Sequence, residues 1–371
     1  MKQINIILIT FSLLMTVVTN AAPRQKQFRT ADLPDSVYVG EQKSGHVQGI
    51  AYDKKRNCIY MSFTTRFLKV DMKGNIVASI ERVPGHLGAM TLSPVDGKVY
   101  ASLECIDDEI GQSVAKRLGL QAVSHEKATL YIAVIDVEKL TRIGMDSAEN
   151  NVLQTFCAKG ATEDYKTGWH GSIGIDGVAF VPCKGKEGDV KSQWQLCIAY
   201  GIKEDLERED NDCQILITYN IEDFEKHLTA VDYNNLHQNG PEHPAAQYFI
   251  YTGNTKYGVQ NLAYDAFTGK LFMFVYKGHK PKYPNCNFFT VDWAPETFAT
   301  TYEDAVRNAQ PLGGWNFKWG ATGVHPFGDG WWYISENRKN KANKTQSCTA
   351  RLYHWEPFSA KGPFVKVSDS K

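Results

Sequence analysis

The sequence predicts an all-β fold built from repeated groups of short antiparallel strands. Three observations predict it. A phrase containing glycine, a polar residue and an apolar run recurs five times, a second apolar run rich in β-branched and aromatic residues follows each copy, and a third such run follows the second. Turn-forming residues separate several of these runs, as expected for hairpins.

The recurring phrase supplies the first strand of each unit. Its copies are GHVQGIAYD at 45–53, GHLGAMTLS at 85–93, IGIDGVAFV at 173–181, YGVQNLAYD at 257–265 and WGATGVHPF at 319–327. Glycine recurs where the chain enters the strand, which is typical of a crowded position where backbones approach closely. A fourth strand is recognisable only in the first two units, within 75–83 and 151–157.

Units of three or four strands over about 40 to 50 residues predict a β-propeller, because no single unit can bury both of its faces and stacking around an axis buries them. We predict five blades, with six as the alternative, since about 88 residues separate the second and third phrases. The extended segment 35–43 has no partner in the first unit. We expect it to complete the last blade and to close the ring near the C-terminus.

The N-terminus has the pattern of an export signal. Lys2 is followed by an apolar run over 6–18 and by the small residue Ala21, so we predict a signal peptide at 1–21 and one propeller domain at 22–371. The predicted location is secreted or periplasmic. No later segment is apolar and long enough to span a membrane.

The charge balance argues against nucleic acid as a partner, because Lys plus Arg and Asp plus Glu both number 41. The oligomeric state is left open. Eight cysteines in an exported chain allow disulfides. Cys183 and Cys197 flank one predicted hairpin and form the pair we predict first, and the alternative is that several cysteines are free buried thiols.

Aligning the five phrases brings polar residues to one end of the predicted axis. Equivalent positions hold Gln48, Gly88, Asp176, Gln260 and Thr322, with His46 and His86 two residues earlier in the first two copies and Asn261 next to Gln260. Matched histidines on neighbouring blades suit a proton-transfer or metal-binding role. The alternative is that polar residues of the channel merely satisfy one another.

A second polar ring is expected from the ends of the second strands, and the largest loops, at 106–126 and 203–212, are expected on the same face. The ring consists of Arg66, Glu104, Lys203, Lys277, His279, Glu336 and Arg338. Tyr257 and Trp319 precede the glycine of the fourth and fifth phrases, where an aromatic face would suit a sugar or another ring.

From these residues we predict His46, His86, Glu104 and Asp176 as the catalytic candidates. The predicted ligand-binding residues are Gln48, Gln260, Asn261, Tyr257, Trp319, Thr322 and Glu336. The first hypothesis is an exported protein that binds a small polar ligand such as a saccharide. The second is a metal-assisted hydrolase or lyase with a histidine as base, and the third is a scaffold for protein interactions.

The pattern resembles secreted five- or six-bladed propellers of the gluconolactonase-like kind, without a diagnostic motif. That resemblance implies a divalent cation such as calcium on the axis. Asp176, Gln260, Asn261 and Glu104 are the residue types that match its ligands. Phosphate-binding glycine loops and the HExxH zinc motif are absent from the sequence.

Overall fold

The computed structural model describes residues 30–43, 45–183, 189–307 and 309–367, so the predicted signal peptide at 1–21 lies outside the described residues. The described chain forms five sheets whose pairing is antiparallel except at one outer edge, each with its first strand beside a common axis. This is the five-bladed β-propeller that the repeat predicts. Within the described ranges, no helix is long and apolar enough to cross a bilayer.

Blade 1 follows directly after a leading strand that belongs to another sheet. The strands are β1 (Ser36–Gln42), β2 (Gly49–Asp53), β3 (Cys58–Phe63), β4 (Arg66–Asp71) and β5 (Ile76–Glu81). Blade 1 comprises β2 to β5, and all residues of β2 and β3 are buried. Such uninterrupted burial is typical of strands covered on both faces by neighbouring blades.

Blade 2 carries the first large insertion. Its segments are β6 (His86–Leu92), β7 (Val99–Cys105), α1 (Glu109–Leu118), β8 (Thr129–Ile135), β9 (Met145–Asp146), β10 (Leu153–Cys157) and α2 (Lys159–Thr167). The sheet is β6-β7-β8-β10, and β9 joins the outer edge of blade 1 in parallel with β5. The long spacing between the second and third phrases, which allowed a six-bladed alternative, therefore contains helices and no further blade.

Blades 3 and 4 have fourth strands that follow long irregular segments. The elements are β11 (Ser172–Pro182), β12 (Trp194–Ile202), β13 (Cys213–Asn220), α3 (Ile221–Glu225), β14 (Ala246–Tyr251), β15 (Thr255–Asp265), β16 (Lys270–Lys277), β17 (Phe288–Asp292), α4 (Tyr302–Val306) and β18 (Gly314–Trp315). Blade 3 is β11 to β14 and blade 4 is β15 to β18. Short 3-10 helices occur at Thr30–Asp32, His125–Lys127, Glu149–Asn151, Trp169–Gly171 and Pro295–Thr297.

Blade 5 is closed by the leading strand. Its own strands are β19 (Val324–Pro326), β20 (Trp331–Asn340), β21 (Thr345–Trp355) and β22 (Phe364–Lys366). β1 pairs with β21 over Ser36↔Arg351 to Gln42↔Gln346, and β22 pairs with the other end of β21. The predicted closure by the N-terminal strand is confirmed.

The hydrophobic core lies mainly between the blades. One cluster joins blades 2 and 3 through residues such as Tyr100, Phe156 and Phe224, and the last two of these rings stack with centroids 4.6 Å apart. Another joins blades 4 and 5 through Phe272 and Trp332, whose ring centroids are also 4.6 Å apart. Large aromatic side chains suit this position because the space between radiating sheets widens away from the axis.

The predicted Cys183–Cys197 disulfide is wrong, since the two residues are not bonded to each other and Cys197 is a free thiol. The reason is the hairpin register. Cys197 pairs with Ala179, whereas the Cys183 amide bonds to Gln193, four residues further along the strand. Four residues of strand correspond to about 13 Å, well beyond disulfide reach. Burial raises the pKa of the Cys197 thiol and keeps it unreactive.

Candidate functional site at the polar mouth

The five inner strands begin at one end of the axis, where their polar residues meet. Gly49 pairs with Ser62, Gly177 with Ala199 and Asn261 with Phe274 at equivalent places of three hairpins. The preceding residues therefore occupy equivalent positions around the axis, and they are Gln48, Asp176 and Gln260. We call this end the polar mouth, formed by His46, Gln48, His86, Glu104, Asp176 and Gln260.

β-Bulges occur at this level in three of the five inner strands. The pairing shifts by one residue at Asp176 and at Gln260, and between Leu87 and Met90. An extra residue bends the strand and changes the direction of the side chain at the bulge. As a result, Asp176 of blade 3 faces Gln260 of the neighbouring blade 4. Gln260 Nε2 donates to Asp176 Oδ2 at 2.9 Å.

Glu104 links blades 2 and 3 beneath the mouth. It lies opposite His86 in the β6–β7 register, and the imidazole Nδ1 is 3.4 Å from Glu104 Oε2. Its other oxygen accepts a hydrogen bond of 2.7 Å from the backbone amide of Ile175 in blade 3. Both side chains are buried, and His86 Nε2 has no hydrogen-bond partner. An unpartnered buried nitrogen is an unusual and costly feature that a ligand could satisfy.

Gly174 is the residue that makes room for Glu104. A Cβ atom at this position would lie 2.1 Å from Glu104 Oε1, and the φ angle of +149° also disfavours other residues. The equivalent positions in blades 1 and 2 hold His46 and His86. Glycine on blade 3 and histidines on blades 1 and 2 are thus alternative solutions at the same crowded level, and only the histidines bring a titratable group.

The local environment shifts the pKa values at the mouth in different directions. Burial opposes the charging of His86, but the hydrogen bond and charge of Glu104, helped by Asp176, raise its pKa above the ordinary value. Burial and the nearby Glu104 charge raise the pKa of Asp176 to about 7. Burial and the charge of His86 lower the pKa of His46, and a hydrogen bond that the imidazole donates to Gln48 opposes this only in part. The mouth therefore combines one histidine with a lowered pKa, one histidine with a raised pKa and a carboxyl group whose pKa is about 7.

Aromatic residues of blade 4 flank Asp176. Burial raises the pKa of Tyr276, and the charge of Asp176 and then Tyr257 add to the increase, so the three groups are neighbours. The rings of Tyr257 and Tyr276 meet edge to face with centroids 5.8 Å apart. Tyr257 is 41% exposed. An exposed ring beside a carboxyl and an amide places an apolar face next to polar groups.

Asn261 lies one residue deeper than Gln260 and is buried. Its Nδ2 lies within hydrogen-bond distance of the carbonyl oxygens of Gln48 at 3.0 Å, Gln260 at 2.7 Å and Ala321 at 3.0 Å. The amide thereby connects blade 4 with blades 1 and 5. Because its donors are engaged by the backbone, we describe Asn261 as the floor of the polar mouth.

At each junction between neighbouring blades, a hydrogen bond that involves at least one side chain connects the two blades near the axis. The bonds are Ser62 Oγ to Gly88 O at 2.7 Å, Ile175 N to Glu104 Oε1 at 2.7 Å, Gln260 Nε2 to Asp176 Oδ2 at 2.9 Å, Asn261 Nδ2 to Ala321 O at 3.0 Å and Val47 N to Asn337 Oδ1 at 3.3 Å. We call this set the axial ring. The polar residues therefore join the blades as well as lining the mouth.

Thr322 takes part in the blade 5 end of this arrangement. Its hydroxyl is 2.8 Å from that of Ser335 and accepts a bond of 2.9 Å from Asn337 Nδ2. Asn337 in turn accepts from the amide of Val47, next to His46. Thr322 thus positions Asn337, and through it the turn that carries His46.

Glu336 and Trp319 make their contacts elsewhere. Glu336 is buried, accepts a 2.8 Å bond from Tyr353, and lies 3.1 Å from Lys366 Nζ. Trp319 is half-buried against the aromatic cluster of blades 4 and 5, with Lys318 Nζ 4.6 Å from the ring centroid. The structure does not join either residue to Asp176 by a hydrogen bond or a ring contact, so their predicted ligand-binding role remains a prediction.

The charged members of the expected second ring are mostly paired with nearby carboxylates. Arg66 binds Glu81 with two bonds of 2.6 and 2.9 Å, and His279 Nδ1 is 2.9 Å from Glu204 Oε1. Glu104 alone among that expected ring has contacts with His86. The insertion after β7 forms α1, and Asp108 caps it by accepting from Gly111 N at 2.6 Å.

Sequence reasoning missed Tyr276 and Asn337. Side chains alternate along a strand, so the residue two after the serine in blade 2, Glu104 after Ser102, corresponds in blade 5 to Asn337 after Ser335. Glu336 is one residue off and points to the other face. The same count from Phe274 gives Tyr276. Counting in steps of two from the middle of each second strand would have identified both residues.

The calcium hypothesis lacks a donor set. In the part of the chain that is described, no group of three or more His, Cys, Asp or Glu residues is arranged to hold a metal ion. Glu104 already faces Ile175 N and His86, and one oxygen of Asp176 accepts from Gln260. These contacts use the oxygens that a cation such as calcium would need.

No family model matches the sequence, and no curated protein does either. Solved structures with related folds include the soluble aldose sugar dehydrogenase of Escherichia coli (10% identity, TM-score 0.38, 85% of this chain and 98% of that chain). An arabinanase of Bacillus subtilis aligns at 12% identity and TM-score 0.42 over 86% of this chain and 98% of its own. The calcium-binding protein regucalcin of Agrobacterium tumefaciens aligns at 9% identity and TM-score 0.35, over 85% of this chain and 94% of its own.

The fold and the site together define the class of this protein. It is a five-bladed β-propeller whose first strand closes the last blade. Its polar mouth contains titratable residues from neighbouring blades. Its particular activity has to be inferred from that site.

Proposed function

We propose that this protein binds a small neutral ligand rich in hydroxyl groups, a saccharide in the first instance, at the polar mouth. The observation that carries the proposal is the buried His86 Nε2, which has no partner, next to the half-protonated Asp176. A hydroxyl group can hydrogen-bond to the imidazole nitrogen and can both donate to and accept from the carboxyl group. Gln260 and the exposed ring of Tyr257 add an orienting amide and an apolar face.

Small polar ligands are bound mainly by a few well-placed polar groups on a rigid frame. The axial ring supplies that frame, because every blade is connected to both neighbours by a side-chain hydrogen bond near the mouth. Little reorganisation is then needed on binding. The export predicted from residues 1–21 would place the site where free saccharides are found, and it stays a prediction.

Acid–base catalysis at the same site is a second candidate. It is favoured because the pKa of His46 is lowered and that of Asp176 is raised. The lowered pKa of His46 leaves a neutral imidazole that can accept a proton, and Asp176, with a pKa of about 7, can donate one. Such a pair supports hydrolysis or elimination on a sugar derivative without a metal ion. Burial and the charge of Glu104 would then keep the pKa of Asp176 high, and the charge of His86 would partly offset them.

The binding hypothesis is tested by calorimetric titration of the purified protein with neutral monosaccharides and disaccharides at pH 7. We expect at least one of them to bind, and Asp176→Asn combined with Gln260→Ala to weaken that binding at least tenfold, or about 1.4 kcal/mol. Asn234→Ala, on an exposed loop, is the matched control. Absence of binding by the whole panel, or equal loss in the control, would contradict the proposal.

The catalytic hypothesis is tested separately by assaying hydrolysis of sugar lactones and aryl glycosides across pH 4 to 9. A rate that falls above pH 7 in the wild-type protein, and loses that dependence in Asp176→Asn, would support Asp176 as the acid. Ligand binding without turnover would leave the first proposal standing and remove the second.

A further inference from the structure

A basic groove lies beside the polar mouth, outside the site described above. Its main cavity has a volume of about 570 Å³ and is lined by five cationic side chains and no carboxylate, namely Lys43, Arg117, Lys339, Lys341 and Lys344. The whole chain has equal numbers of acidic and basic residues. A cavity lined by one sign of charge is therefore a local feature of the surface.

Three separate parts of the fold bring these cations together. Lys43 follows β1, Arg117 is near the end of α1 in the blade 2 insertion, and the other three belong to the β20–β21 hairpin of blade 5. The last pairs of that hairpin are Lys339↔Gln346 and Asn340↔Thr345. A helix inserted in blade 2 thus contributes a cation to a cavity walled by blade 5.

The cations of the groove are not neutralised by the protein. Within the described residues, none of the five has a carboxylate within salt-bridge distance, although other bases such as Arg56, Arg142 and Lys191 form such pairs. Glu41 lies beside the hairpin and accepts bonds from Thr345 at 2.7 Å and Asn340 at 2.8 Å, but its carboxylate lines neither this cavity nor the adjoining one. Repulsion among the groove cations is left for solvent ions or a ligand to relieve.

A second cavity extends the groove. It has a volume of about 420 Å³ and shares Lys43 and Arg117 with the first, adding Arg66 and Arg82. Its one carboxylate, Glu81, is engaged by Arg66. The two cavities thus share a wall, and an anion longer than a single sulfate or phosphate can contact both.

We propose that the basic groove binds an acidic oligosaccharide, with its sulfate or carboxylate groups on Lys43, Arg117 and the hairpin lysines. The residues lining both cavities include no aromatic side chain. Nucleic-acid surfaces that bind single strands combine cations with aromatic rings on which bases stack. The groove has the cations without the rings, which suits a polyanion that has no bases.

The proposal is tested by titrating the purified protein with a sulfated, uronate-containing hexasaccharide. We expect binding that weakens on the order of 100-fold between about 50 and 200 mM salt, because the cations of the groove displace counterions from the bound oligosaccharide. A hexasaccharide with carboxylates alone shows whether sulfate is required. The double variant Arg117→Glu plus Lys341→Glu should reduce the affinity at least tenfold at the lower salt concentration.

The matched control is Lys116→Glu plus Lys226→Glu, which changes the net charge by the same amount. Lys116 neighbours Arg117 on α1 and is also exposed, but it does not line the groove. The control should bind within twofold of wild type. No binding by wild type, equal loss in both double variants, or tighter binding of a single-stranded oligonucleotide through the same residues would overturn the proposal.

Discussion

The two ends of the propeller axis are formed by the same five inner strands but have opposite chemistry. At the start of the strands, the polar mouth contains two histidines and two carboxyl groups. At the other end, a cavity of about 300 Å³ is walled largely by aromatic and apolar residues, among them Phe180, Trp194, Tyr264, His325 and Phe327. We call this second opening the aromatic mouth.

One histidine at each end shows what the difference means. Burial lowers the pKa of His325 to about 4, and Asp53 offsets this only in part. His86 is also buried, but Glu104 next to it raises its pKa. Burial therefore lowers the pKa of His325 although Asp53 is near, and the pKa of His86 is raised because Glu104 also forms a hydrogen bond with it. The polar mouth favours the charged form of its buried histidine, and the aromatic mouth disfavours it.

The largest expected effect comes from removing Glu104, the carboxylate that raises the pKa of His86. Glu104→Ala leaves the Ile175 amide and the buried His86 without their acceptor, and we expect the free energy of unfolding to fall by about 3–5 kcal/mol. Urea denaturation at pH 7 measures it. Glu138→Ala, at an exposed ion pair with Arg56, should cost about 1 kcal/mol or less. Equal losses would contradict the assignment of a buried charge pair.

The second effect concerns Asp176 and depends on pH. Its folded pKa, about 7, lies above the value near 4 in the unfolded chain, so its stabilising contribution is present at low pH and is lost as pH rises through 7. Asp176→Asn should therefore gain on the order of 3 kcal/mol relative to wild type between pH 4 and 8. Denaturation curves that stay parallel across this range would show that the Asp176 pKa is ordinary.

The third effect is at the aromatic mouth and has the opposite sign. His325 has a folded pKa of about 4, below its unfolded value near 6.5, so its contribution is present above pH 6.5 and is lost as pH falls through 4. His325→Phe should gain stability over wild type on acidification, on the order of 2 kcal/mol. This is less than the full pKa difference would give, because the side chain is only half-buried. If both variants changed with pH in the same direction, the contrast between the mouths would be wrong.

The smallest effect tests one bond of the axial ring. Asn337→Ala removes the acceptor of the Val47 amide and the donor to Thr322, and we expect a loss of about 1 kcal/mol in the free energy of unfolding. Asn234→Ala, which is exposed, should leave it nearly unchanged. The measurement is again urea denaturation, and a cost no larger than that of the control would show that the Asn337 bonds do not stabilise the ring.

The architecture could be predicted because the same pattern of strands occurs five times in the sequence. Each inner strand repeats its glycine and its apolar run, so the blade count and the alignment of Asp176 with Gln260 follow from comparison within one chain. The fourth strands of blades 3 and 4 could not be found in the same way. β14 and β18 are separated from their third strands by long irregular segments, and β18 has only two residues.

The candidate site was predictable only where the repeat applied directly. The register on the second strands needs side-chain alternation, and a one-residue error there exchanged Asn337 for Glu336, which lies against Tyr353. The bulges at Asp176 and Gln260 are invisible in the sequence pattern, yet they determine the hydrogen bond between these side chains. The pairing of Glu104 with Ile175 depends on contact between blades, which no local pattern reports.

The pairing of β1 with β21 also affects how the molecule is made. During synthesis β1 leaves the ribosome before any blade exists, while its partner β21 emerges only after the strands of blades 1 to 4. Blades 1 to 4 can stack as they appear, with β1 waiting as an unpaired edge that invites wrong partners. The final step of assembly is then a long-range capture of the first strand by the last sheet, and the newly made chain is most vulnerable to aggregation just before it.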